Sequence, residues 1–124
     1  MAKEMTEQSD IQQIEHRMKT ATLELHKLAP LVGVAKQIRQ YDSDRRRNLL
    51  AKFMRPHIKN GETSTAAETL ARSTEAFQVG FNELAKELET SEATIARWDA
   101  MMCSFEASRS LLSMAKESMK ALEG

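Results

Sequence analysis

The chain has 124 residues, 18 of them basic and 18 acidic, so its formal net charge is zero and its length fits a single domain, 1–124. Only four Gly, two Pro and 5% aromatic residues occur. Ala, Leu, Glu, Lys and Met outnumber Val, Ile, Tyr and Trp, which favours helix over strand. No apolar run approaches the roughly 18 residues of a membrane span, no signal-peptide pattern opens the chain, and Cys103 has no second Cys to pair with; the expectation is a protein of the reducing cytoplasm with no membrane contact.

The first helix is predicted over about 8–29. Ile11, Ile14, Met18, Ala21, Leu25 and Leu28 recur at alternating steps of three and four, the seam of a helix packed lengthwise against another. His16 and His26 fall off that seam, and Pro30 is expected to end or kink the helix. Helical segments follow over about 31–55. Leu31, Val34, Ala35 and Ile38 share one face, and Ser43 with Asp44 reads as a new helix start, which leaves open one bent helix or two. Residues 56–64 read as loop, with Asn60-Gly61 as the turn signal. Thr65 and Glu68 have the spacing of a capping box for a short helix over about 65–72, and Ser73 is placed to cap the next.

That next helix, about 74–122, dominates the chain. From Phe81 to Glu123 there is no Gly or Pro, and the three-four spacing runs through Phe81, Leu84, Leu88, Ser91, Ile95, Trp98, Met102, Phe105, Arg109, Leu112, Lys116 and Met119. The segment would measure ~64 Å as one helix at about 1.5 Å per residue. The fold class expected is all-α: an elongated helical hairpin or bundle with a long C-terminal helix and short middle helices. Leu84, Leu88, Ile95, Trp98, Met102, Phe105 and Leu112 are its core or self-association seam. The apolar side of this helix is wider than two short helices need, which points to a homo-oligomer, a dimer favoured.

Charge is segregated along the chain. Residues 36–59 carry 8 basic and 2 acidic groups, net +6, whereas residues 60–95 carry 2 and 7, net −5. On a helical wheel Arg45, Asn48, Lys52 and Arg55 oppose the apolar side of Leu49, Leu50, Phe53 and Met54. Together with Lys59 they are candidates for contact with phosphates or an acidic protein; the alternative is a solvated charged face. Arg46 lies on the apolar side and is expected to pair with a carboxylate from another segment, such as the acidic 60–95.

Catalytic and metal chemistry finds no foothold. His16, His26 and His57 are dispersed, Cys103 lacks a base in sequence reach and reads as a small buried or half-buried residue, and no P-loop or dinucleotide fingerprint forms among the glycines. Asp42 and Asp44 read as turn and capping residues. No enzyme, metal or cofactor is expected.

Two resemblances bear on function. Leu84, Ala85, Leu88, Ser91, Thr94, Ile95, Arg97 and Trp98 are spaced as in bacterial helix-turn-helix regulators, which would make Arg97 a DNA contact. Three departures count against that reading: Glu89 stands where the turn wants Gly, Thr90 stands at a buried aliphatic position, and Glu83–Asp99 holds five acids against two bases, a poor match to a polyanion. "RRRNLLAKFMRPHIKNGETSTAAETLARSTEAF" with "RSLLSMAKESMK" resembles small helical proteins of bacteriophage gene clusters. That resemblance implies a non-enzymatic accessory factor or inhibitor, acting on nucleic-acid-processing or defence machinery through a protein or nucleoprotein partner.

Overall fold

The computed structural model describes residues 2–123, with side chains from Ser9 onward. They form three α-helices, α1 (Ala2–Lys59), α2 (Ser64–Ser73) and α3 (Glu75–Glu123), and no strand occurs among the described residues. The long C-terminal helix and the short middle helix are both present. No helix end occurs at Pro30, and of the alternatives left open for 31–55 the structure has one helix. Pro30, Ser43, Asp44 and Pro56 all lie within α1, so Ser43 caps nothing and the predicted loop 56–64 shrinks to four residues. Proline removes one backbone donor and crowds the carbonyl four residues earlier. Both prolines are exposed, where a freed carbonyl can be hydrated. The inward face meanwhile passes Pro30 in step, through Leu28, Val32 and Ala35, all buried. Continuous packing outweighs the local penalty.

The connections have clear physical causes. Gly61 has φ +88°, a left-handed conformation that only glycine adopts without steric cost. With it the Gly61 N–H donates to the Ile58 carbonyl and the Glu62 N–H to the His57 carbonyl, the paired bonds of a Schellman helix end. The cap of α2 is Thr63, whose hydroxyl accepts from the Ala66 N–H, and not Thr65; Glu68 pairs instead with Arg72 along the helix at 3.1 Å. Thr74, and not Ser73, caps α3 by accepting from the Phe77 N–H at 3.3 Å.

The chain divides into two compact units. The first comprises Met1–Val32 and Ile95–Gly124, the second Gly33–Thr94; Met1 and Gly124 lie outside the described residues. In the first unit the inward positions of α1 are Ile11, Ile14, Met18, Ala21, Leu25, Leu28 and Val32. Those of α3 are Ile95, Trp98, Met101, Phe105, Ser108, Leu112, Ala115 and Met119, all buried or half-buried. Ile95 is 3% exposed, while Met102 is 37% exposed and so leaves the predicted seam. Arg109 and Lys116 are exposed too. The inner face steps by three from Trp98 to Met101 where the prediction stepped by four, and that step keeps both cations in water. Arg97 donates to Glu24 at 3.2 Å across this pair of helices.

In the second unit α1 and α3 run antiparallel, as Arg39 meets Glu92 and Arg45 meets Glu87, each at 2.6 Å. Leu84 and Leu88 are half-buried here. Phe77, 5% exposed, meets Phe53 edge-on and stacks with Phe81, both at 5.9 Å between ring centres. Ala67 and Ala71 of α2 are fully buried. Leu31 and Val34, expected on the packed face, point to solvent, because Val32 and Ala35 hold that face.

Candidate functional site

The basic stretch of α1 projects from the second unit in several directions, and each guanidinium has its own surroundings. Arg45 reaches Glu87 of α3. Arg46 does not pair with a carboxylate of the 60–95 segment as expected; its Nε lies 3.0 Å from Asp42 of its own helix, and its guanidinium meets that segment at the Phe81 ring, 5.4 Å from the ring centre. Arg47 is 3.9 Å from Asp44. Asp42 and Asp44 are thus helix-surface partners of arginines and not turn residues. Lys52 lies over the Phe53 ring at 5.8 Å. Arg55 and Lys59 are exposed and make no ion pair among the described residues.

Arg39 is the most firmly held of the arginines. Its Nε donates to Glu92 Oε1 at 2.8 Å and its Nη2 to Oε2 at 2.6 Å, a two-pronged contact. These hydrogen bonds favour the ionised carboxylate and hold Glu92 below the ordinary glutamate pKa. A depressed acid contributes stability above its unfolded pKa of about 4.3 and loses it as pH falls through the lower folded value. Carbon-detected NMR titration of Glu92 is therefore expected to give a midpoint below the ordinary glutamate value of about 4.3, and Arg39→Gln to raise it. A Glu92 midpoint unmoved by that substitution would count against the pair in solution.

The structure brings Arg45, Asn48 and Lys52 to one groove of about 460 Å³, but Glu83 and Glu87 line the same groove. Taken whole, the second unit holds 10 basic and 9 acidic residues, net +1. The +6 segment is neutralised by the helices folded against it, so long-range attraction of a polyanion is weak. The helix-turn-helix expectation meets a direct obstacle. Residues 84–98 lie within the unbroken α3, no non-glycine residue among the described residues has positive φ, and Arg97 is engaged with Glu24. Without a turn no second helix stands free to enter a groove.

A different cluster, passed over in the sequence, lies on another side of α1. Arg46, Arg47, Leu50, Arg72, Phe77 and Phe81 line a cleft of about 410 Å³. Comparison with protein-family models, curated proteins and solved structures finds no match to this chain. Arg72 comes from α2, 25 residues beyond Arg47, and its guanidinium sits 5.9 Å from the Phe77 ring centre. Only the docking of α2 brings it there, and a wheel drawn for α1 alone could not show it. The cleft gathers three cations and no carboxylate on an apolar floor.

A third feature lies on the first unit. Ala100, Ser104, Ala107, Leu111, Met114, Ser118 and Ala121 recur at steps of four and three on the outer face of α3, all exposed. Leu111 is 46% and Met114 64% exposed. No charged residue interrupts the stripe. Cys103 beside it is exposed, contrary to the buried or half-buried placement expected. No group of three or more His, Cys, Asp or Glu placed to hold a metal occurs among the described residues, and no helix is long and apolar enough to cross a membrane.

Proposed function

We propose that this chain is a non-enzymatic helical binding protein that self-associates through the outer stripe of α3 and acts by protein–protein contact. The observation that carries the reading is the uncharged stripe from Ala100 to Ala121, exposed beside a thin core. Two helices alone bury one narrow seam each, and no large side chain among the described residues is fully buried. A second seam with the spacing of a packed helix is therefore a surface in want of cover. Its lack of charge gives an ionic partner nothing to pair with, and its Ala and Ser positions let a like helix approach closely, so a second copy of the same stripe is the occupant that fits. If the resemblance of the sequence to phage accessory proteins holds, the further partner would be a nucleic-acid-processing or defence protein.

Sedimentation equilibrium tests this. The wild type is expected to be a dimer at micromolar concentration, and Met114→Lys, which puts a charge into the middle of the stripe, to be a monomer of unchanged helicity. A monomeric wild type, or a Met114→Lys dimer, would sink the self-association reading. A DNA or RNA mobility shift at low salt that vanishes in Arg55→Ala would favour direct nucleic-acid binding instead.

A further inference from the structure

The cleft on the second unit has a chemistry that self-association does not use. We propose that it binds a small phosphate monoester, the phosphoryl group held by Arg46, Arg47 and Arg72 and an apolar body seated against Leu50, Phe77 and Phe81.

A guanidinium has five N–H donors in a rigid fork that matches phosphate oxygens two at a time. Here most of them are uncommitted. Arg72 gives its Nε to Glu68 at 3.1 Å. Arg46 Nε is buried without a hydrogen bond; Asp42 is near, but the N–H does not aim at it. Arg47 is 76% exposed and only loosely placed against Asp44, so it can turn over a ligand. Arg46 and Arg72 are held against the Phe81 and Phe77 rings, which fixes two of the three cations before any ligand arrives and lowers the ordering cost of binding.

The volume decides that the ligand is more than an ion. About 410 Å³ falls in the range of about 300–1,000 Å³ that small organic ligands occupy, and the floor of Leu50, Phe77 and Phe81 offers a phosphate nothing. Charge argues against a polymer. The three arginines are balanced by Asp42, Asp44 and Glu68 nearby, so affinity comes from directed hydrogen bonds and not from a broad positive field. The site needs no second copy of the chain, and its test is separate from that of the dimer.

Isothermal calorimetry of the full chain with phenyl phosphate, adenosine monophosphate, inorganic phosphate and phenol tests the assignment. Phenyl phosphate and adenosine monophosphate are expected to bind saturably, with inorganic phosphate and phenol each at least about tenfold weaker. Arg47→Gln, at a side chain too exposed to support the fold, should weaken phenyl phosphate by about tenfold, and Arg72→Gln should do the same. Arg17→Gln, at an exposed side chain of the first unit, should leave binding unchanged. The proposal is overturned if no phosphate binds below about 10 mM, if Arg17→Gln weakens binding as much as Arg47→Gln, or if inorganic phosphate binds as tightly as phenyl phosphate.

Discussion

Phe77→Ala is expected to lower the unfolding free energy by about 3–5 kcal/mol. Among the four phenylalanines Phe77 alone is buried, and it sits between Phe53 on α1 and Phe81 on its own helix. Truncation removes both ring contacts and leaves a void that stiff helices cannot collapse into. It also removes the surface over which Arg72 lies, and so loosens the docking of α2. A domain has in total only about 5–15 kcal/mol of stability, so the variant should be close to unfolding in its second unit. Urea denaturation followed by circular dichroism measures the loss. Phe77→Leu separates the causes: it keeps much of the volume and forfeits the ring geometry, worth about 0.5–1.5 kcal/mol per aromatic pair. A loss below about 1 kcal/mol for Phe77→Ala would mean that this cluster is not the packing centre of the unit.

How much of this was legible in the sequence follows from what each signal measures. The three-four spacing reports burial directly, and it marked the inward face of α1 from Ile11 to Leu28 and much of α3. It failed at Met102, Arg109 and Lys116, whose places on the inner face are taken by Met101, Ser108 and Ala115, while Phe105 and Leu112 stay on it. The clue was available: a seam that includes Arg109 and Lys116 buries two cations without partners, which packing does not tolerate. Local signals did less well. Pro30 and Ser43 are boundary residues in isolation, but the energy of a packed face continuing past them is larger than the cost of one proline at an exposed position. The caps were misplaced by one or two residues, Thr65 for Thr63 and Ser73 for Thr74, because neighbouring hydroxyls look alike until the backbone turns.

The candidate sites were harder still. Arg45, Asn48 and Lys52 do share a groove, but a wheel drawn for one helix cannot show Glu83 and Glu87 arriving from another. It cannot bring Arg72 to Arg46 and Arg47 either. Both are consequences of chain return, fixed by the turn at Gly61 and the docking of α2. Segment charge misled for the same reason, since +6 in sequence becomes +1 in the folded unit.

The docking of α2 is itself open to test, and here the expected cost is set by steric fit. Ala67 and Ala71 are both 0% exposed, four residues apart on one face of a ten-residue helix. A helix this short is not stable in water by itself, so α2 exists because that face is packed. Alanine permits the close approach. Ala67→Leu and Ala71→Leu should each cost about 1–3 kcal/mol by overpacking, although Leu and Ala differ little in helix propensity; that near-equality makes the loss a measure of packing and not of helix formation. Thr69→Leu is the control, since Thr69 is exposed on the same helix and Leu is the better helix former, so this change should be neutral or slightly stabilising. Because the two alanines serve one interface, the double variant should detach α2 and not simply add the two losses. Hydrogen exchange would then show residues 64–73 unprotected while residues 105–119 keep their protection. If both single leucine variants match the wild type, α2 is not seated as described, and Arg72 would not stand in the cleft with Arg46 and Arg47.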